Sequence, residues 1–466
     1  MTVLADLTTS TEVFEPTTDV PDSPSAAAFR APSTQVFEHR ESAVRSYCRA
    51  FPVLLASAHG TTLVAEDGTE YVDFFSGAGA LNYGHNHAHI KRQVVAHLEG
   101  DGLLHALDFH TAAKREFLER FGREILEPRG LHHRVQFCGS TGTDAVEAAL
   151  KLARKHTGRS QVIAFSGAYH GVSRGSLAAT ADLSLRKVAG TALGEVTHLP
   201  FPVGPRGSFP TMDLLEQYLT DDLSGVDVPA AVILEVVQME GGVYRIPDAD
   251  LRRLRELCDR YGIVLIADEI QAGCGRTGGF FSFEQAGVVP DLITVSKSIG
   301  GLGLPMSILL IREGLDSWAA GDHPGTFRGN QLAFVAACGA LDLWQSQAFL
   351  DQARDGAALL RDFWESHPLP GVEVRCEGHA IGIDLTHAGG RRAADDVVAW
   401  CFERGLIVES TGRDKAVLKL LPALTMELDV LRHGCELIHE ALRTALSRLP
   451  LRKKNLGDQL CLLYTS

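Results

Sequence analysis

Several things are scarce in this chain, and each scarcity removes a class of protein. The nine cysteines are scattered from Cys48 to Cys461, and no two form a C-x-x-C pair. An odd, widely spaced set excludes a zinc cluster and a disulfide framework and fits a reducing compartment. No apolar run approaches the ~18–20 residues that cross a bilayer. Basic charge is in deficit: 44 Lys and Arg stand against 58 Asp and Glu, a formal net charge of −14. Nucleic acid and anionic membranes call for a basic surface and are excluded as main partners. A local pocket for a small anion is compatible with that balance. What the chain has in surplus is glycine, 46 of 466 residues, against an average of ~7%, and not in repeats. Glycine clusters mark tight turns where backbone approaches something closely.

At ~100–200 residues per domain the length predicts two to four units. Residues 1–35, rich in Thr, Ser, Pro and acid, read as a disordered arm. They lack a basic n-region and an apolar h-region, so no secretion signal is expected and a cytoplasmic protein is. Over residues 86–335, apolar runs such as AVILEVV, IVLIADEI and DLITVSK alternate with helical patterns such as AVEAALKLARKH and DADLRRLRELCDRYG. Strands nearly free of polar residues, each paired with a helix, predict a mainly parallel, doubly wound α/β sheet buried on both faces. Residues 336–450 change texture and predict a smaller α+β domain. Residues 36–85, with TTLVAEDGTEYVDFF, are expected to join it. Residues 451–466 are set apart as a disordered or non-native tail.

Three motifs carry chemistry. In CGSTGTDAVEAALKLARK a strand ends at Phe137 and a helix starts near Thr143. Ser140, Thr141, Gly142 and Thr143 then sit at a helix N-terminus, where free N–H groups and the dipole favour an anion. Ordinary capping by Ser140 or Thr143 would explain the same residues. In IVLIADEIQAGCGRTG, Gly273, Gly275 and Gly278 spell G-x-G-x-x-G, but no amphipathic helix follows, so a dinucleotide fold is rejected. Asp268 and Glu269 at the strand's end matter more, because a carboxylate there can hold a protonated ring nitrogen; the alternative is that one of them caps a turn. In DLITVSKSIGGLGLP, Lys297 stands two residues past a buried strand. It either snorkels to solvent or is desolvated, and desolvation favours the neutral, nucleophilic amine.

An anion cradle, an in-sheet Asp and a later strand-end lysine are together the parts list for pyridoxal phosphate. With FEHRESAVRSYCRAFP, FFSGAGALNYGHNH, FSGAYHG, GTFRGNQLAF and KLLPALT in the same order, the chain from about Val36 to about Leu449 resembles the class III, fold-type I aminotransferases. Its diaminobutyrate–2-oxoglutarate branch, including the ectoine-pathway members, is the nearest likeness. The resemblance implies pyridoxal 5′-phosphate held by Lys297 through its amine, with Lys297 also moving the substrate proton. Asp268 would face the pyridine nitrogen, Gln271 the phenolic oxygen and Tyr169 the ring face. Ser140, Thr141, Gly142 and Thr143 would hold the phosphate. Thr326 would reach the phosphate of a neighbouring subunit, implying a homodimer with shared sites and leaving higher association open. Glu240 and Lys419 would meet substrate; many relatives carry an arginine where Lys419 stands, and lysine cannot form a bidentate fork. Arg328 is a further candidate for an anionic substrate, or else an interface ion pair. Met239 replaces a glycine usual in the family, which bears on the pocket.

The implied reaction moves the amino group of L-glutamate to L-aspartate 4-semialdehyde, giving L-2,4-diaminobutanoate and 2-oxoglutarate. The alternatives are another ω-aminotransferase of a natural-product pathway, or a non-catalytic binding protein on the same fold. His85, His87 and His89 have poor spacing for a metal, and no metal is expected. Glu147 and Lys151 are expected to pair as i, i+4 neighbours on a helix.

Overall fold

The computed structural model describes residues 34–448. The tail expected over 451–466, and all but the last two residues of the expected N-terminal arm, lie outside the described residues. Two units are distinguished, Met1–Ser46 and the chain from Tyr47 onward. The described part of the first holds a short helix, Gln35–Arg40, and an Arg45–Glu38 ion pair at 3.0 Å.

The rest is built around a seven-stranded sheet. Across it the strands run His133–Phe137, Ile308–Arg312, Leu292–Val295, Val264–Asp268, Ala231–Leu234, Val162–Phe165 and Val196–Leu199. The central strands are VLIAD, LITV and AVIL, buried at every position, as both-face burial requires. Helix Gly142–Thr157 lays Val146, Ala149 and Leu152 against Ala164, Ile233 and Ile266 on one face. Helix Asp248–Tyr261 lays Leu251, Leu254 and Leu257 against Ile163, Leu265 and Ile293 on the other. The doubly wound architecture read from the sequence is therefore present. One strand departs from it: Ile308–Arg312 runs antiparallel to both neighbours. The reason lies in its connection. A parallel return needs a crossover, usually a helix, whereas residues 296–307 contain one short turn, Lys297–Gly300, so the chain doubles back.

A second sheet, antiparallel throughout, orders Glu373–Glu377, Ala380–Asp384, Val417–Leu420 and Glu409–Thr411. Helices Gln347–Ser366, Gly390–Phe402 and Leu428–Ser447 seal its core through Leu360, Val397, Leu431 and Ile438. Strand Glu70–Asp73 pairs in parallel with Leu406–Ile407, tying the segment before residue 86 to the C-terminal part of the chain. Helix Gln331–Trp344 spans the boundary expected at residue 336 and packs against helices Ala88–Glu99 and Ala112–Phe121.

Candidate active site

The site forms where the large sheet's central strands end. Asp268 is the last residue of its strand, beside Thr294 of the neighbouring one. It is buried, and its Oδ1 accepts hydrogen bonds from Thr294 Oγ1 at 3.2 Å and from the Ile270 N–H at 3.1 Å. Its Oδ2 lies 2.7 Å from His170 Nδ1. His170 is itself buried, and its Nε2 has no hydrogen-bond partner among the described residues. The sequence reading missed His170, although it adjoins Tyr169. A histidine after an aromatic in a turn carries no signal until folding brings it under Asp268. The Tyr169 ring is partly exposed, while its backbone N–H donates to buried Glu235 at 2.9 Å.

Lys297 follows the next strand in a left-handed conformation, φ 54°, strained for a residue with a Cβ. Neighbouring serines pin it there. Ser296 Oγ donates to Met306 O at 2.8 Å, and Ser298 Oγ to Gly79 O at 2.9 Å. Lys297 Nζ donates to Ala78 O at 2.7 Å, and Gln271 Nε2 donates to the same oxygen at 2.8 Å. Burial first, and the Lys419 charge second, push the Lys297 amine down to about 8, so about a tenth of it is neutral at pH 7, far more than for an ordinary lysine.

Lys419 lies in strand Val417–Leu420, directly opposite Glu409 in the antiparallel register. Its side chain is fully buried. The ammonium is hydrogen-bonded to Glu240, stands 2.9 Å from Glu409 Oε1 and donates to Gln271 Oε1 at 3.3 Å. Thr411 Oγ1 donates to Glu240 Oε2 at 2.8 Å. Burial opposes ionisation of Glu240, but the Lys419 charge overcomes it and holds the carboxyl down at about 2. Glu409 is raised, by burial above all. Lys419 thus meets two carboxylates of its own chain rather than standing as a free cation. Glu409 was not singled out in the sequence, because its register opposite Lys419 is set by strand pairing.

At the anion turn, helix Gly142–Thr157 is capped by Thr141 and Asp144, not by the Ser140 or Thr143 expected: Asp144 Oδ2 accepts from the Thr141 N–H at 3.1 Å. The first N–H groups of a helix have no acceptor within it, which leaves those of Gly142 and Thr143 directed outward. Thr143 Oγ1 lies 2.6 Å from Ser176 Oγ. A Cβ on Gly142 would come within 2.7 Å of the Ile270 side chain. That glycine is needed for protein to approach protein, in addition to any ligand. Glu269 accepts from the Ser282 N–H at 2.9 Å and Asp268 from the Ile270 N–H, so both members of the Asp–Glu pair hold the turn.

Thr326 and Arg328 line a different cavity of about 550 Å³, with Leu107, Lys114, Phe137 and His323. Met239 is buried among Val237, Val243, Ala272, Ala380 and Leu421, a small apolar core. His85 pairs with Asp73 at 2.7 Å and His89 with Asp342 at 2.6 Å. Glu147 and Lys151 do not pair as expected. Glu147 accepts from the Gly175 and Ser176 N–H groups, and Lys151 Nζ donates to Asp322 O, because tertiary donors for the one and an acceptor for the other replace the helix neighbour.

Residues 44–442 match the family model for class-III aminotransferases. The chain is 48% identical over 420 residues to the diaminobutyrate–2-oxoglutarate transaminase of Bordetella parapertussis, covering 89% of this chain and 96% of that one. It is 46% identical over 412 residues to the enzyme of the same name from Halalkalibacterium halodurans, covering 88% and 96%. The chain is a class III aminotransferase. Ornithine aminotransferase from Toxoplasma gondii shares the fold of this aminotransferase, with a TM-score of 0.78 over 89% of this chain and 95% of that one, at 24% identity.

Proposed function

We propose that this aminotransferase uses pyridoxal 5′-phosphate to move the amino group of L-glutamate to L-aspartate 4-semialdehyde, giving L-2,4-diaminobutanoate and 2-oxoglutarate. The observation that carries the chemistry is the pairing at the strand ends: the Lys297 amine pushed down to about 8, within electrostatic reach of buried Asp268. The substrates follow from the activity named for relatives 46–48% identical over most of both chains.

The residues fit the cofactor. The outward N–H groups of Gly142 and Thr143 suit a phosphate dianion, with the Ser140 and Thr141 hydroxyls at the same exposed turn. Asp268 is held by three partners, two at Oδ1 and one at Oδ2, and would keep a protonated ring nitrogen charged. Pyridoxal phosphate, when bound, supplies an aldehyde for amine exchange and a ring that takes up an electron pair. Lys297 supplies the amine that holds it, and its Nζ moves the substrate proton. Gln271 orients beside Lys297 through their shared acceptor, Ala78 O. The partly exposed Tyr169 ring would cover one ring face, and Glu240 and Lys419 would line the substrate side.

The same reading includes a homodimer in which Thr326 reaches the partner's phosphate and Arg328 the shared cavity. Its support is the apolar surface around Thr326: Leu103, Leu104, Phe109 and Phe327 are 53–76% exposed. The residues of 86–335 then carry the cofactor, and the described residues from 336 onward form the smaller domain.

Replacing Lys297 with Ala tests the assignment. Loss of both the visible cofactor band and turnover is expected, and survival of either overturns it. With glutamate as donor, a panel of aldehydes tests the acceptor. Turnover of other aldehydes but not aspartate 4-semialdehyde would instead mark an ω-aminotransferase of another pathway.

A further inference from the structure

The wall of the pocket beside Lys297 has unequal charge. Lys419 is fully buried, whereas the side chains of Glu240 and Glu409 keep 28% and 13% of their exposure. With both carboxyls ionised, two carboxylates and one ammonium leave one negative charge in excess, and the carboxylates are the part that solvent reaches. The two glutamates are not equally engaged. Glu240 Oε1 accepts from Lys419 and Oε2 from Thr411. Glu409 Oε1 stands 2.9 Å from Lys419 Nζ as an ion pair, yet that oxygen is buried and has no hydrogen-bond partner among the described residues. Both lie close enough to Lys297 to act on its charge.

A partly enclosed surplus carboxylate next to a reacting amine is suited to a cation. The amino group that reacts at C4 of 2,4-diaminobutanoate leaves a second ammonium on C2, and glutamate has none. We propose that Glu409 binds the non-reacting ammonium of the diamino acid and is the residue that selects for it. Glu240 stays bound to Lys419 and Thr411 and fixes the wall against which Glu409 works. The substrate's own carboxylate is turned away from this wall, since two glutamates repel it. The inference rests on the substrate reading given under Proposed function.

The test uses the pyridoxal-phosphate-loaded enzyme and follows the amine half-reaction by absorbance with three donors. They are L-2,4-diaminobutanoate, L-glutamate and 4-aminobutanoate, the last being the diamino acid without its C2 ammonium. In E409Q the half-saturating concentration of diaminobutanoate should rise roughly tenfold, as for loss of one charge-assisted contact. That for glutamate, which has no second ammonium, should rise less, so that the ratio of the two rises at least about fivefold. The preference for diaminobutanoate over 4-aminobutanoate should shrink accordingly, and E409D, which keeps the charge, should recover part of it. A merely structural role would weaken all three donors together, and thermal melting of both variants separates misfolding from lost selectivity. Equal losses for all donors, or an unchanged preference in E409Q, would overturn the role of Glu409. Failure of the unmodified enzyme to react with diaminobutanoate while it reacts with glutamate would instead overturn the substrate reading.

Discussion

His170 shows how one buried side chain can set the behaviour of the site. Its Nδ1 lies 2.7 Å from Asp268 Oδ2, and both side chains are almost fully shut off from solvent. A hydrogen bond to an ionised group is worth ~1.5–3 kcal/mol. Substituting His170 with Phe keeps the apolar bulk and deletes that bond, so Asp268 loses its fixed orientation. The expected result is a cofactor dissociation constant raised about tenfold or more, measured by equilibrium dialysis with pyridoxal phosphate; unchanged affinity would show that Thr294 and the Ile270 N–H suffice. Lys297 and Asp268 were legible in the sequence, because position at the end of an apolar strand is a local property. His170 and Glu409 were not: His170 gains its role from a partner 98 residues away, and Glu409 from the strand register that sets it opposite Lys419.

At the scale of elements, the turn after strand Val264–Asp268 explains the glycine-rich decoy. Instead of opening a helix, residues 270–282 fold back on Glu269, whose carboxylate accepts from Ser282. Arg276, fully buried, donates to Asn82, Pro422 O and His379 O, so this turn also anchors the loop that follows Lys419. The G-x-G-x-x-G spacing was visible in the sequence, but the reason for it was not: Gly275 is in a left-handed conformation, φ 91°, against the Trp344 and Leu424 side chains. Burial pushes the Glu269 carboxyl up to about 8. Between its unfolded value near 4.5 and 8, the folded protein holds a proton that the unfolded chain releases. This contribution is therefore present at low pH and lost as pH rises through that window, at up to ~1.4 kcal/mol per pH unit. Glu269→Gln keeps an acceptor for Ser282 and cannot titrate. Urea unfolding at pH 5, 6.5 and 8 should show the stability decline flattened in the variant, and parallel pH profiles would refute a raised Glu269.

For the whole molecule, buried apolar runs specified the parallel sheet, whereas the reversed strand Ile308–Arg312 was decided by the short connection before it. The net charge of −14 excluded polyanions without preventing Gly142, Thr143 and Lys297 from making an anion-tolerant pocket, since N–H groups and one amine act locally. The exposed apolar surface bears on assembly. Leu104 and Phe327 are 53% and 76% exposed, and His105 Nε2 donates to Thr326 O at 3.0 Å, tying the two segments into one surface. Large exposed apolar side chains grouped around a polar loop mark an interaction site, and a second copy of the chain would bring Thr326 to its partner. The double substitution Leu104→Asp, Phe327→Asp places charge on both segments and leaves the Lys297 pocket untouched. Sedimentation velocity should show the unmodified protein as a dimer and the variant as a monomer, and on the proposed shared site the monomer, without Thr326 from a second copy, should retain pyridoxal phosphate poorly. A monomeric unmodified protein with full activity would overturn the shared site. A variant that stays dimeric would move the interface away from this surface.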